Sequence, residues 1–457
     1  MGTVGLSFGS ATSGQGFDVA STVTQIQAAS QAIETPWQNQ LTALKAQDTV
    51  LSSLGTDLST LSTSLQKLTD FEGVFAEKQG SSSNTDVLSL TSASSSATAG
   101  SHTIQVNQLA QTSSEVSSTI SSASDTLTGT VTIQGHVFDT SIAGSNTLTG
   151  LASAINSAAI GVTASVITDS SGSRLSIVSG TSGAAGQLSA ITTNNLSDST
   201  TGGSSISFST GQVGQDASLI VDNVPITSSS NTVTDAIAGV TFQLLATSAT
   251  STPVQVQITD ATTDIATAIS SFVSAYNKVI GDINNQEQSG AGGTSSPLLG
   301  SPIIAQLQES ITGSLFSGTK SGSISNITQL GIGINNDGTL TLNADTLTGV
   351  LNSNLSDVTG FLQNSGSFGQ TFATALNNVG TQAPNGAVFL AQQQNSSQET
   401  ALNADITNEN AILATQKTQL TNELNAANQI LQSIPSQLNE VNSVFDSLTG
   451  FNPNTHA

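Results

Sequence analysis

Histidines, glycine-rich turns and acidic turns are where chemistry could be sought in this chain. His102, His136 and His456 lie far apart, and none has the spacing of a His-Glu-x-x-His zinc site. Each reads as a surface or structural residue. Gly180-Thr181-Ser182-Gly183-Ala184-Ala185-Gly186 has the glycines of a phosphate-cradling loop. No Lys-Ser/Thr follows it, so it reads as a β-turn loop. Asn335-Asn336-Asp337-Gly338 has the composition of a calcium-loop start. Counted from Asn335, the position needing a bidentate Glu is Thr346, which argues against calcium. Serines are too numerous for a Ser–His–acid pairing to mean anything, and the carboxylates are too scattered to name a glycosidase pair. Cysteine is absent, which excludes thiol catalysis, disulfides and Cys-ligated metal. The expectation is a protein with no catalytic residues, no cofactor and no metal, and not an enzyme.

Composition narrows the partners. Charged residues are 8% of the chain, and 7 basic against 30 acidic residues give a net charge of −23. The surface must therefore be built mainly from Ser, Thr, Asn, Gln and Gly. So few basic residues cannot track phosphates, so nucleic acid is not expected as a partner. An anionic membrane would repel the chain. No apolar run reaches the ~18 residues of a spanning helix, so no membrane insertion is expected. The start, MGTVGLSFGSATSGQG, lacks the basic and apolar regions of a cleaved secretory signal. It reads as disordered in isolation. The length gives a prior of roughly three domains.

The elements that could position any site show a change of period along the chain. Asp18 is a plausible N-cap, with Val19, Val23, Ile26 and Ile33 behind it at helical spacing. Pro36 predicts a boundary or kink. Then Trp37, Leu44, Leu51, Leu58 and Leu65 step by seven, with Leu54, Leu61 and Leu68 as a companion row. The far end repeats the device over Leu402–Leu448. Ile406, Leu413, Leu420, Ala427, Ile434, Val441 and Leu448 form one row, and Leu424, Leu431, Leu438 and Phe445 the other. Rows stepping by seven make a coiled-coil seam. The Trp37–Leu68 stripe is its expected partner within the chain. Pro435 should break or kink the last helix, leaving its final turns mobile.

Between these ends the period becomes two. Strands are expected at Val87–Leu90, Thr103–Val106, Val131–Ile133, Val137-Phe138, Val162–Ile167, Leu175–Val178 and Val254–Ile258. Thr112–Thr128 and residues 198–216 read as Ser/Thr-rich links or loops. Arg174, the chain's arginine, falls at a solvated hairpin end. A repeat is visible: Val131–Ile133, Ser145-Asn146-Thr147, Ala154-Ile155 and Gly161-Val162-Thr163 recur as Leu219–Val221, Ser230-Asn231-Thr232, Ala236-Ile237 and Gly239-Val240-Thr241. Each copy reads strand, turn, short helix, Gly, strand, which predicts two similar small lobes. Helical spacing returns at Ile265–Ile283, a flexible break is expected at 288–297, and a helix near Ile303–Leu315. An Asp-Gly hairpin follows over Gly331–Leu342, then helices near Ala344–Asn352 and Phe368–Val379. The fold class is α+β and multidomain, with terminal helices paired as a stalk and two β-rich lobes inserted between them.

Several of these stretches together resemble a known family. Gly16-Phe17-Asp18-Val19, Ala99–Ala110, the Ser-Asn-Thr repeats, Ser229–Phe242, Phe272–Lys278, Pro297-Leu298-Leu299-Gly300 and Leu330–Asn343 occur in the order seen in the flagellar filament cap, or hook-associated protein 2, family. The resemblance implies an export segment and first helix at 1–36, helical stalk at 37–78, and a plate domain at 79–118 and 215–260. It implies an inserted head domain at 119–214, stalk with hairpin at 261–401, and a coiled-coil helix at 402–457. It also implies a closed homo-oligomer of roughly four to six copies, with β domains as a plate at the filament tip and helical ends as legs. Flagellin would be retained beneath, with hook-filament junction proteins and a cytoplasmic export chaperone as further partners. Export through the flagellar apparatus would need no cleaved signal. The helix-pairing residues would be Trp37, Leu44, Leu51, Leu58, Leu65, Ile406, Leu413, Leu420, Leu424, Leu431 and Leu438. A flagellin-like filament or junction subunit, and a surface adhesin, are the alternative readings.

Overall fold

A computed structural model describes residues 16–200, 202–249, 251–288 and 295–449. Residues 1–15, most of the break expected at 288–297, the Asn452-Pro453-Asn454 tail and His456 lie outside the described residues. The chain divides into a helical unit, Met1–Thr69 with Ala266–Ala457, and a β unit, Asp70–Ile265.

The helical unit opens with α1 (Val19–Gln31), capped by Asp18, whose carboxylate accepts from Ser21 N at 3.1 Å. Helix α2 runs Glu34–Thr69. Pro36 does not mark its start. It sits inside the first turn, where its missing N–H has no intrahelical partner to lose.

In the β unit, β1 (Lys78–Ser82), β2 (Leu88–Ala93) and β3 (Gly100–Gln108) come first. An inserted lobe follows, with β4 (Thr112–Ser117), β5 (Leu127–Ile133), β6 (His136–Asp139), α3 (Leu148–Ser157), β7 (Val162–Asp169) and β8 (Gly172–Ser182). It is completed by β9 (Thr192–Asp198), β10 (Ser204–Ser205) and β11 (Phe208–Gln212). The chain then returns through β12 (Ala217–Val221), β13 (Val224–Ser228), β14 (Thr232–Ile237), β15 (Val240–Leu244) and β16 (Val254–Asp260). A five-stranded sheet of order β1-β16-β3-β12-β13 and a three-stranded sheet of order β14-β15-β2 share one core, including Leu88, Ile104, Val106, Leu219, Phe242 and Val256. The inserted lobe has four-stranded sheets of order β10-β9-β5-β6 and β11-β4-β8-β7 around its own core of Val131, Ile133, Leu151, Ile155, Leu175 and Ile177.

Three sequence expectations change here. The supposed links contain strands: β4 pairs with β8 and β11, so the inserted lobe begins at Thr112 rather than at 119. The signal was hidden because the inward side chains of β4 are polar. Ser113 Oγ accepts from Leu188 N, Ser117 Oγ accepts from Leu175 N, and Glu115 accepts from Thr210 Oγ1. Each is buried yet satisfied, so no hydropathy alternation appears. Residues 198–216 likewise contain β10 and β11. The repeat also does not fold twice alike. Its first copy forms α3, capped by Thr147, between Asn146 and Gly161. The second has only Asn231 to Gly239, too few residues for a helix, and Ala236-Ile237 sit in the β14–β15 hairpin.

Back in the helical unit, α4 (Thr262–Glu287) presents Ile269, Phe272, Tyr276, Val279, Ile280 and Ile283 to the core. Then come α5 (Pro302–Ser314), the hairpin β17 (Ile332–Ile334) and β18 (Leu340–Leu342), α6 (Ala344–Gln363), α7 (Phe368–Val379) and α8 (Ala387–Thr449). Phe272 meets Phe368 and Phe372 edge-on, and Phe361 stacks on Phe368 at 5.3 Å. Helix α8 begins fifteen residues before the expected Leu402 and is assigned continuously through Pro435, where a break was expected. The proline removes one amide from the helix ladder, and the turns on either side hold without it.

Candidate helix-pairing interface

The residues that could have been chemical are structural where they are described. His102 Nδ1 lies 2.7 Å from Asp222 Oδ2, and Asp222 Oδ1 accepts from Thr103 N. The Thr103 amide, and then His102, hold the Asp222 carboxyl below the usual carboxylate range. His136 is exposed at the β5–β6 turn. Asp337 is the hairpin turn: its Oδ1 accepts from Thr339 N and Oγ1, which occupies that oxygen within the turn itself. Among the described residues no group of three or more His, Asp or Glu is placed to hold a metal. No described helix is long and apolar enough to cross a membrane.

The helical stripes do come together, with a register different from the expected one. Three side-chain ties set it: Asn395 Nδ2 donates to Asp48 Oδ1 at 2.8 Å, Gln27 Nε2 to Leu413 O at 2.6 Å, and Phe17 N to Asn428 Oδ1 at 2.9 Å. As the chain advances from Phe17 to Asp48, its partners fall back from Asn428 to Asn395. Thus α8 runs antiparallel along α1 and then along the first part of α2.

This places the predicted pairing residues in three groups. Leu44 and Leu51 are buried and share a cleft with Ala387, Leu390, Ala391 and Asn395 of α8 and with the start of α5. Their α8 partners therefore precede the Leu402–Leu448 seam. Leu58 and Leu65 are also buried, but farther along α2, where α6 and α7 take over from α8. There Gln363 Nε2 donates to Leu68 O at 3.4 Å. The third group is the seam itself. Leu413 is buried at the level of Gln27 in α1; Ile406, Leu420, Leu424 and Leu431 are half-buried; Leu438 is exposed. Trp37 is half-buried. The structure thus brings the early seam to α1, not to the leucines of α2.

Sequence reasoning missed that role of α1, although Val23, buried in it, lay on the predicted face. It also missed Gly55. A Cβ there would lie 2.6 Å from Thr381 Cγ2, and Val388 Cγ1 is 3.8 Å away. The glycine lets the α7–α8 connection approach α2 closely. Nearby Lys278 Nζ joins α4 to α2 through Asp282 on its own helix and Asp57 at 3.3 Å. Burial pushes the Asp57 carboxyl up. Burial acts the same way on Asp282, but hydrogen bonds with Asp57 and Lys278 outweigh it and hold that carboxyl down.

Comparison with known proteins gives a consistent picture. The model for the flagellar hook-associated protein 2 N-terminus matches residues 15–113, and that for its C-terminus matches residues 214–442. The chain is 27% identical over 403 residues to the B-type flagellar hook-associated protein 2 of Pseudomonas aeruginosa, covering 82% of this chain and 81% of the relative. It is 28% identical over 370 residues to the flagellar hook-associated protein 2 of Escherichia coli K12, covering 76% and 78%. The crystal structure of the D1-D2-D3 domains of the flagellar cap protein from Escherichia coli superposes with a TM-score of 0.55 at 26% identity, covering 76% of this chain and 99% of that one. The ordered match of both family models, one of which alone spans about half the sequence, is decisive: the chain belongs to the flagellar hook-associated protein 2 family, the flagellar cap proteins.

Proposed function

We propose that this protein forms the cap at the extracellular tip of the bacterial flagellar filament, where it retains exported flagellin and promotes its folding and insertion as the filament grows. The observation that carries this reading is the antiparallel pairing of α8 with α1 and α2, which joins both ends of the chain in one helical unit. That unit is suited to act as the leg, and the β unit as the plate. The working form is a closed ring of roughly four to six copies, since a cap must not polymerise open-endedly. Further partners are flagellin, the hook-filament junction proteins and a cytoplasmic export chaperone. No chemical step enters: shape and symmetry mismatch do the work. Within the leg, the pairing interface consists of Leu44 and Leu51 toward the first turns of α8, and Leu413, Leu420 and Leu424 toward α1.

The test is deletion of residues 402–457 in the native host. Short or missing filaments, with flagellin monomers shed into the medium, are expected. Filaments of normal length would overturn the proposal.

A further inference from the structure

Beyond Asn428 the apolar stripe of α8 continues without a described partner. Leu431 and Ile434 are half-buried, whereas Leu438, Val441 and Leu448 are 44%, 64% and 80% exposed. Their spacing of three and four residues keeps them on one face. Such a face, in a polar and almost uncharged helix, calls for an apolar cover.

The chain delivers a candidate to the edge of that face. Phe17 N is tied to Asn428 Oδ1, and Gly16 adopts φ +61° against Asn428 and Gln432 so closely that a Cβ would clash with both. The segment preceding Gly16 thus reaches α8 where the uncovered stripe begins. Since α1 already runs antiparallel to α8, the preceding residues arrive pointed along the stripe. They hold at least fifteen residues, MGTVGLSFGSATSGQ, none of them charged, with Val4, Leu6 and Phe8 as apolar side chains. Reach is sufficient: fifteen residues span up to about 50 Å, and the helix from Ile434 to Thr449 is about 24 Å long. Charge matches too, because an uncharged segment meets no repulsion from Glu440 and Asp446 at the sides of the stripe.

We propose that residues 1–15 dock on the α8 stripe from Ile434 to Leu448 of the same molecule. The segment acts as an internal cover that a stronger-binding helix must displace. This does not depend on the cap reading.

The absence of cysteine makes the test direct. Leu6→Cys is combined with Val441→Cys on the stripe or, as control, with Asn439→Cys on the opposite face of α8. Under mild oxidation of the dilute full-length chain, the Val441 pair should close within one molecule at least several-fold faster than the Asn439 pair. Equal rates, or cross-links only between copies, would overturn the proposal, the latter assigning the stripe to a second copy. A separate measurement covers any misfolding of the cysteine variants. Amide exchange of residues 434–448 should accelerate several-fold when Val4, Leu6 and Phe8 are all replaced by Ser, and unchanged exchange would also overturn it.

Discussion

At the scale of residues, the protein replaces ion pairs with carboxamides. Asn156, Asn231 and Asn277 each hold both the N–H and the C=O of one distant residue: Ala164 at 2.7 and 2.8 Å, Ala110 at 2.7 and 3.0 Å, and Leu340 at 2.6 and 2.7 Å. An asparagine side chain carries the donor and acceptor of a peptide group, so each contact imitates one rung of a β-ladder. Asn277→Ala should destabilise the helical unit by about 2 kcal/mol, since both Leu340 groups lose their side-chain partner; denaturant melts would measure this. Tyr276 is the opposite case. It is fully buried against Phe272 and Phe372, its hydroxyl has no hydrogen-bond partner, and burial pushes its pKa up. Tyr276→Phe should be neutral or stabilising by about 1 kcal/mol. A clear loss of stability in the same melts would mean that the hydroxyl is satisfied after all. Neither role was legible in the sequence. Helical spacing marked Tyr276 as core, but spacing says nothing of a hydroxyl's partner, and Asn231 was read as a turn residue because local rules dominate sequence reading.

At the scale of elements, the leucine rows were legible and their pairing was not. A step of seven fixes which face of a helix is buried, but not which partner buries it. Leu51 and Leu58 are equally buried, yet one faces the start of α8 and the other lies nearer α7. The strands of the inserted lobe show the converse limit, because Ser113 and Ser117 are core residues in a pattern with no hydropathy signal. Gly55 shows why the register is what it is. In a helix interior Gly→Ala normally gains about 1 kcal/mol, but here the new methyl would press on Thr381. Gly55→Ala alone should therefore lower the melting temperature of the helical unit. Combined with Thr381→Ser, which removes the opposing Cγ2, it should recover the loss. If the single variant is already stabilised, the close approach is not what selects glycine.

At the scale of the whole molecule, scarce charge predicts a flat pH response. Asp222, Asp337 and Asp357 are held below the ordinary value of 3.8, each by hydrogen bonds within its own turn or to a facing backbone amide. Groups with depressed pKa contribute stability above their unfolded value and lose it as pH falls through the folded one. Asp57, raised by burial, works in the opposite direction and takes up its proton earlier. Thermal melts should therefore show a plateau from about pH 5 to 9 and a decline only below about pH 4. A steep slope at neutral pH would require a titrating group that this structure does not contain among its described residues.

The pairing of β1 with β16 has a mechanical consequence. Lys78 stands opposite Asp260 and is ion-paired with it, at the end of the pair where the chain enters and leaves the β unit. Tension applied through those two connections loads the rungs one after another, from Lys78–Asp260 toward Ser82–Val256. Strands loaded this way peel open like a zip, whereas strands pulled from opposite ends must shear all their hydrogen bonds at once. A pull on the two connections would therefore open the β unit at a low force, and a lone ion pair is the first catch it meets.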